Sequence, residues 1–154
     1  MLNELATDRG RGLLADIAMQ IDIAAEPGTV YRALTTTDGV AAWWTTRNET
    51  SATVGDVNRY WFPDAPLSWD LKVTDTVDGE LVATHCVGGP PPWIGTDVRW
   101  SLASTSEGTR VIFDHTGFAT VDEMFRIVTL GWAQMILRLK EYAESGSAVP
   151  FFTH

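Results

Sequence analysis

The chain has 154 residues, 45% apolar and 20% charged, which fits one globular domain large enough to bury a core. Its 11 basic residues against 20 acidic ones give a charge of −9, which argues against nucleic acid and anionic membranes as partners, since both are held through clustered Lys and Arg. Cys86 stands alone, so no intrachain disulfide can form, and neither a signal peptide nor a bilayer-spanning run is visible; a reducing, cytoplasmic setting is expected.

Residues 1–15 are weakly patterned and read as an N-terminal arm. The stretch "MQIDIAAEP" reads as a strand with Met19, Ile21 and Ile23 on one face. Pro27 suits the first turn of a helix, where a missing N–H costs nothing. Val30, Tyr31 and Leu34 follow at helical spacing, Asp38-Gly39 is read as the break, and "VAAWWTT" as a second short helix running into a strand. The middle is β-rich: "VNRYWF", then "LSWDLKVTDTV" with Leu67, Trp69, Leu71 and Val73 on one face. Asp78-Gly79 is a hairpin signal. "ELVATHCV" returns, and "GGPPPWIG" is a loop that three prolines make stiff, with Trp93 expected at a cavity mouth.

"TDVRWSLAS" alternates again, and "GTRVIFDHTGF" follows as a further strand. One long helix closes the domain over residues 121–145. Thr120 and Glu123 have capping-box spacing, Gly146 is a stop, and Phe125, Val128, Trp132, Met135, Ile136 and Leu139 form a stripe. The order is an α+β pattern with helices set against an antiparallel sheet over residues 16–146, followed by a surface tail at 147–154.

Three motifs narrow this. "VYRALTTTDGVAAWW", "GTRVIFDHTGF" and "GWAQMILRLKEYAESG" resemble the first helix pair, last strand and closing helix of the START-like, birch-pollen-allergen-like (SRPBCC) superfamily, in its branch named after the heat-shock protein 90 ATPase activator. The resemblance implies a helix-grip fold: a curved antiparallel sheet wrapped around the long helix, with an apolar cavity between them. It does not imply one activity. The branch's co-chaperones carry an additional domain for which this chain has no room, so chaperone binding is not expected.

Strand alternation puts His115 with Val111 and Phe113, and Asp114 on the opposite face, so the adjacent Asp-His pair is no dyad. His115 reads either as a polar point or base in a cavity wall, or as a core histidine bonded within the protein. His85 and Cys86 lie on opposite faces of one strand and His154 is on the tail, so no metal site is expected. No cofactor motif survives: "GRGLLA" at residues 10–15 has the dinucleotide spelling but no preceding strand. No catalytic residue is assigned. "NET" at Asn48 is a sequon by spelling only.

The aromatic set carries the functional reading. Trp43 or Trp44, with Trp61, Trp69, Trp100, Phe113, Phe118 and Trp132, can ring one cavity, with His115 as its polar point; the same residues can fill a solid core. Arg59 joins them if Val57 and Trp61 face inward, and is solvated if Tyr60 and Phe62 do. The expectation is a domain that binds a small hydrophobic or aromatic ligand. A cyclase- or hydrolase-type enzyme in the same cavity and a co-chaperone-like interaction domain are the alternatives. A homodimer through a sheet edge or the "VPFF" tail is compatible with the pattern.

Overall fold

The computed structural model describes residues 14–154; the N-terminal arm up to residue 13, with both glycines of the "GRGLLA" stretch, lies outside the described residues. The first strand, β1 (Ala15–Ile23), leads to two helices, α1 (Pro27–Thr35) and α2 (Thr37–Trp43). Six more strands follow: β2 (Asn48–Glu49), β3 (Val57–Tyr60), β4 (Trp69–Val77), β5 (Leu81–Gly88), β6 (Asp97–Thr105) and β7 (Gly108–Phe118). The helix α3 (Glu123–Ser145) comes last. The seven strands form one antiparallel, curved sheet in the order β1-β7-β6-β5-β4-β3-β2. This is the α+β arrangement the pattern predicts, with the two short helices after the first strand and the long helix at the end.

Local chemistry sets the element ends. Pro27 occupies the first turn of α1. The break between the short helices falls at Thr36, not at Asp38-Gly39: Thr36 is extended (φ −121°, ψ 148°) and its hydroxyl accepts the Gly39 N–H at 3.0 Å, so it caps α2. Gly39 is needed for closeness instead. A Cβ there would lie 2.6 Å from the Arg32 carbonyl oxygen of α1. Asp122 caps α3 by accepting the Phe125 N–H at 2.9 Å, and the Thr120–Glu123 box is not formed. Asp122 is the residue immediately ahead of the first helical turn, which is where a cap must stand. Gly146 closes the helix in the left-handed conformation (φ 76°).

The inward faces of β6 and β7 meet the stripe of α3 through Trp100 and Phe113, whose rings pack on Trp132, and β1 also packs against the helix. Trp132, Met135, Ile136 and Leu139 are buried, while Phe125 and Val128 are half-buried at the N-terminal end of the helix. The tail does not lie loose on the surface. Val149, Phe151 and Phe152 donate their backbone N–H groups to the carbonyls of Ala42, Trp43 and Trp44, and Phe152 forms a parallel bridge with Thr45. The apolar side chains of Phe151 and Phe152 provide the physical reason, since both pack against the core.

Candidate functional site: an aromatic-walled cavity at the end of the long helix

An open cavity of about 290 Å³ lies between the N-terminal half of α3 and the aromatic residues opposite it. Trp44, Phe62, Trp69, Trp93 and Phe152 supply aromatic wall. Met124, Ile127, Val128, Gly131 and Met135 supply the helix side. Phe62 is the hub: it sits edge-on to Trp69 (4.7 Å) and Phe152 (4.9 Å) and tilted to Trp44 (5.6 Å). Gly131 faces open space, with no atom within 4 Å of a Cβ built there. A glycine inside a helix costs about 1 kcal/mol against alanine, and here the missing side chain keeps room beside the wall.

Behind the Trp93 wall lies His115, which has no exposed surface. The Trp132 indole N–H donates to His115 Nδ1 at 3.0 Å. An indole nitrogen can only donate, so Nδ1 must accept, and the ring proton sits on Nε2. Nε2–H then donates to Thr96 Oγ1 at 2.8 Å, and the Thr96 hydroxyl donates to the Trp93 carbonyl at 2.6 Å. The chain therefore runs one way, from α3 through β7 to the proline-rich loop. Burial pushes His115 down from 6.5 to about 3, so it is neutral at ordinary pH. With both ring nitrogens taken inside the protein, it has no lone pair to offer a substrate. The core-histidine reading is the one realised.

The family model described as Activator of Hsp90 ATPase homolog 1-like protein matches residues 24–144, most of the chain. The chain belongs to this family. A solution structure of the Aha1 dimer from Colwellia psychrerythraea is 30% identical, with a TM-score of 0.79 over 86% of this chain and 98% of that one. Protein MLL2253 from Mesorhizobium loti (18% identity, TM-score 0.74, 82% of this chain and 95% of that one) shares the fold. So does DynU16, from the dynemicin biosynthetic locus (20% identity, TM-score 0.75), covering 90% of this chain and 51% of that one. No curated protein matches the chain by sequence.

Within this Activator of Hsp90 ATPase homolog 1-like domain, the expected site residues separate into three groups. Trp69 lines the cavity, and of the Trp43/Trp44 pair it is Trp44 that does so. Trp43 is turned into the helix pair, where its indole N–H donates to the Ala33 carbonyl at 2.8 Å. Trp100, Phe113, Phe118, His115 and Trp132 form the solid core behind the cavity. Trp93 is buried rather than rim-exposed, 4.5 Å from the His115 ring.

Arg59 and Trp61 do not line this cavity. Tyr60 faces inward on β3, so Arg59 is exposed and lies 3.8 Å from Asp70, and Trp61 carries the Arg47 guanidinium over its ring at 4.5 Å. His85 pairs with Asp97 on the other face from buried Cys86, and His154 bonds Thr46, so the structure does not bring these groups together. The Asn48 side-chain nitrogen is used internally, donating to the Thr37 and Thr45 carbonyls. Among the described residues no helix is long and apolar enough to cross a membrane.

The sequence reading missed Phe62, Gly131, Met135 and Phe152 as cavity residues. A signal for Gly131 was present: a glycine inside an otherwise strong helical stripe asks for a reason. Phe152 carried none, because the docking of the tail is a tertiary event.

Proposed function

We propose that the cavity binds a small hydrophobic or aromatic molecule. The observation that carries this reading is the apolar wall itself: about 290 Å³ lined by aromatic and aliphatic side chains, close to the size of the smaller ligand pockets of proteins. An enzyme reading loses its acid–base candidate, because His115 is sealed in the core. The neutral fluorescent probe N-phenyl-1-naphthylamine tests the binding reading. Saturable one-to-one enhancement is expected in the natural chain. It is expected to vanish in Gly131→Leu, which fills the open space beside the wall while improving helix propensity. Probe binding that is absent, or that Gly131→Leu leaves unchanged, would rule the cavity out.

A second reading has its own support. Ile127, Leu130 and Leu137 stand 61%, 62% and 59% exposed on one helix, and the 30% identical Colwellia psychrerythraea protein is a dimer in solution. We infer a homodimer that covers this part of α3. Sedimentation equilibrium should give twice the chain mass, falling to a single chain in Leu130→Glu; a monomeric natural chain would dismiss the idea.

A further inference from the structure

Among the described residues, Asp64 is the one charged residue that lines the cavity, and it is exposed at the rim. It is also the one non-glycine among them with a positive φ, 64°. The turn around it shows how it is held. Pro63 precedes it, and the Ala65 N–H donates to the Phe62 carbonyl at 3.2 Å. With a left-handed third residue, these are the features of a type II turn. That third place ordinarily goes to glycine or asparagine. Here it carries a carboxylate that the turn itself does not need. Pro63 and Pro66 stiffen the loop on either side, so Asp64 is fixed two residues from Phe62, the hub of the aromatic wall.

The rest of the lining favours the same sign of charge. No Lys or Arg lines the cavity, and the chain as a whole carries −9. An anion brought here meets a like charge and finds no counter-charge for the hydration it loses. A cation meets the opposite situation. Phe62, Trp69 and Phe152 are half-buried, so aromatic surface stays accessible in the wall, and aromatic faces attract cations. The exposed carboxylate can turn toward a positive group at the mouth, where that group keeps part of its water.

We propose that the ligand of this cavity is a hydrophobic cation, a molecule whose apolar body fills the pocket while its amine or quaternary ammonium group stands at the mouth beside Asp64. The proposal rests on the binding reading above and adds the ligand's charge class to it.

One naphthyl body with three head groups tests it by titration calorimetry at low salt: 2-(1-naphthyl)ethylamine, protonated at pH 7, 2-(1-naphthyl)ethanol and 1-naphthylacetate. Transfer of the molecule into an apolar cavity alone favours the uncharged alcohol, so the sign of the difference is diagnostic. The amine is expected to bind about fivefold tighter than the alcohol, and the carboxylate about fivefold weaker, as one exposed charge at short range allows. Asp64→Asn keeps a residue that the left-handed place accepts and should bring amine and alcohol level. Asp78→Asn removes the same charge from the turn between β4 and β5 and should change neither. Gly131→Leu should lose all three probes. An amine that binds no tighter than the alcohol, an advantage that survives Asp64→Asn, or amine binding that survives Gly131→Leu overturns this inference. The cavity reading stands through each of these as long as the alcohol binds and Gly131→Leu removes it. No binding by any of the three overturns both.

Discussion

The Trp132 indole donates to His115 Nδ1 across 3.0 Å, joining the long helix to the last strand inside the core. Because burial moves His115 from 6.5 down to about 3, the unfolded chain binds a proton that the folded chain refuses between those pH values. Stability therefore rises with pH across that window: the contribution is complete above about pH 6.5 and is lost as pH falls toward 3. The slope is about 1.4 kcal/mol per pH unit for one such group. Urea unfolding at a series of pH values should show an extra loss on the order of 2 kcal/mol between pH 6 and pH 4. His115→Asn should be less stable at pH 7 yet flatter over that interval. Parallel curves for the two proteins would mean that His115 protonates without disturbing the fold.

The same chain of hydrogen bonds predicts non-additivity. Trp132→Phe leaves His115 Nδ1 without a donor and a small void in the core, a loss of about 3 kcal/mol. Thr96→Val leaves His115 Nε2–H without an acceptor and costs about 2 kcal/mol. Both changes free the same imidazole to re-orient, so the double variant should lose less than the sum, by about 1 kcal/mol. Chemical denaturation of the four proteins measures it. Strict additivity would show that the two bonds act independently.

The fold was legible because its signals are periodic. The inward positions of β6 and β7, Val98, Trp100, Leu102, Val111 and Phe113, are buried as alternation requires. The stripe from Trp132 to Leu139 is buried as helical spacing requires. The cavity was half legible. Periodicity finds an inward face, yet it cannot tell a wall from a solid core, so Trp100, Phe113 and Trp132 look the same in sequence as Trp69. Alternation alone could not place Arg59 and Trp61, because the stretch "VNRYWF" carries aromatics in both alternating sets, and only the tertiary register, with Tyr60 turned inward, decides between them.

Glycines at two positions should respond with opposite signs. Gly108 opens β7 at φ 148°, and a Cβ there would press on the Ile23 carbonyl oxygen and lie 2.8 Å from the Ala25 nitrogen. Both neighbours are backbone and cannot yield cheaply. Gly108→Ala should cost about 3 kcal/mol from strain and overlap together. Gly131→Ala meets nothing within 4 Å and should gain about 0.8 kcal/mol from helix propensity. Thermal unfolding of the two variants beside the natural chain gives both signs in one experiment.

The tail supplies the last expectation. Phe152 closes one side of the cavity against Phe62 and is half-buried, so it contributes to the site as well as to the fold. Phe152→Ala removes an aromatic ring from a partly exposed place and should cost about 1–2 kcal/mol, below the range for a fully buried ring. The backbone bonds of the tail to Ala42, Trp43 and Trp44 do not depend on that side chain. The variant should therefore keep its fold and widen the cavity, binding N-phenyl-1-naphthylamine more weakly while Gly131→Leu stays inert. Unfolding midpoints and probe titration separate the two effects. An unchanged probe affinity would place the bound molecule away from Phe152, against the Trp69 and Trp93 side of the wall.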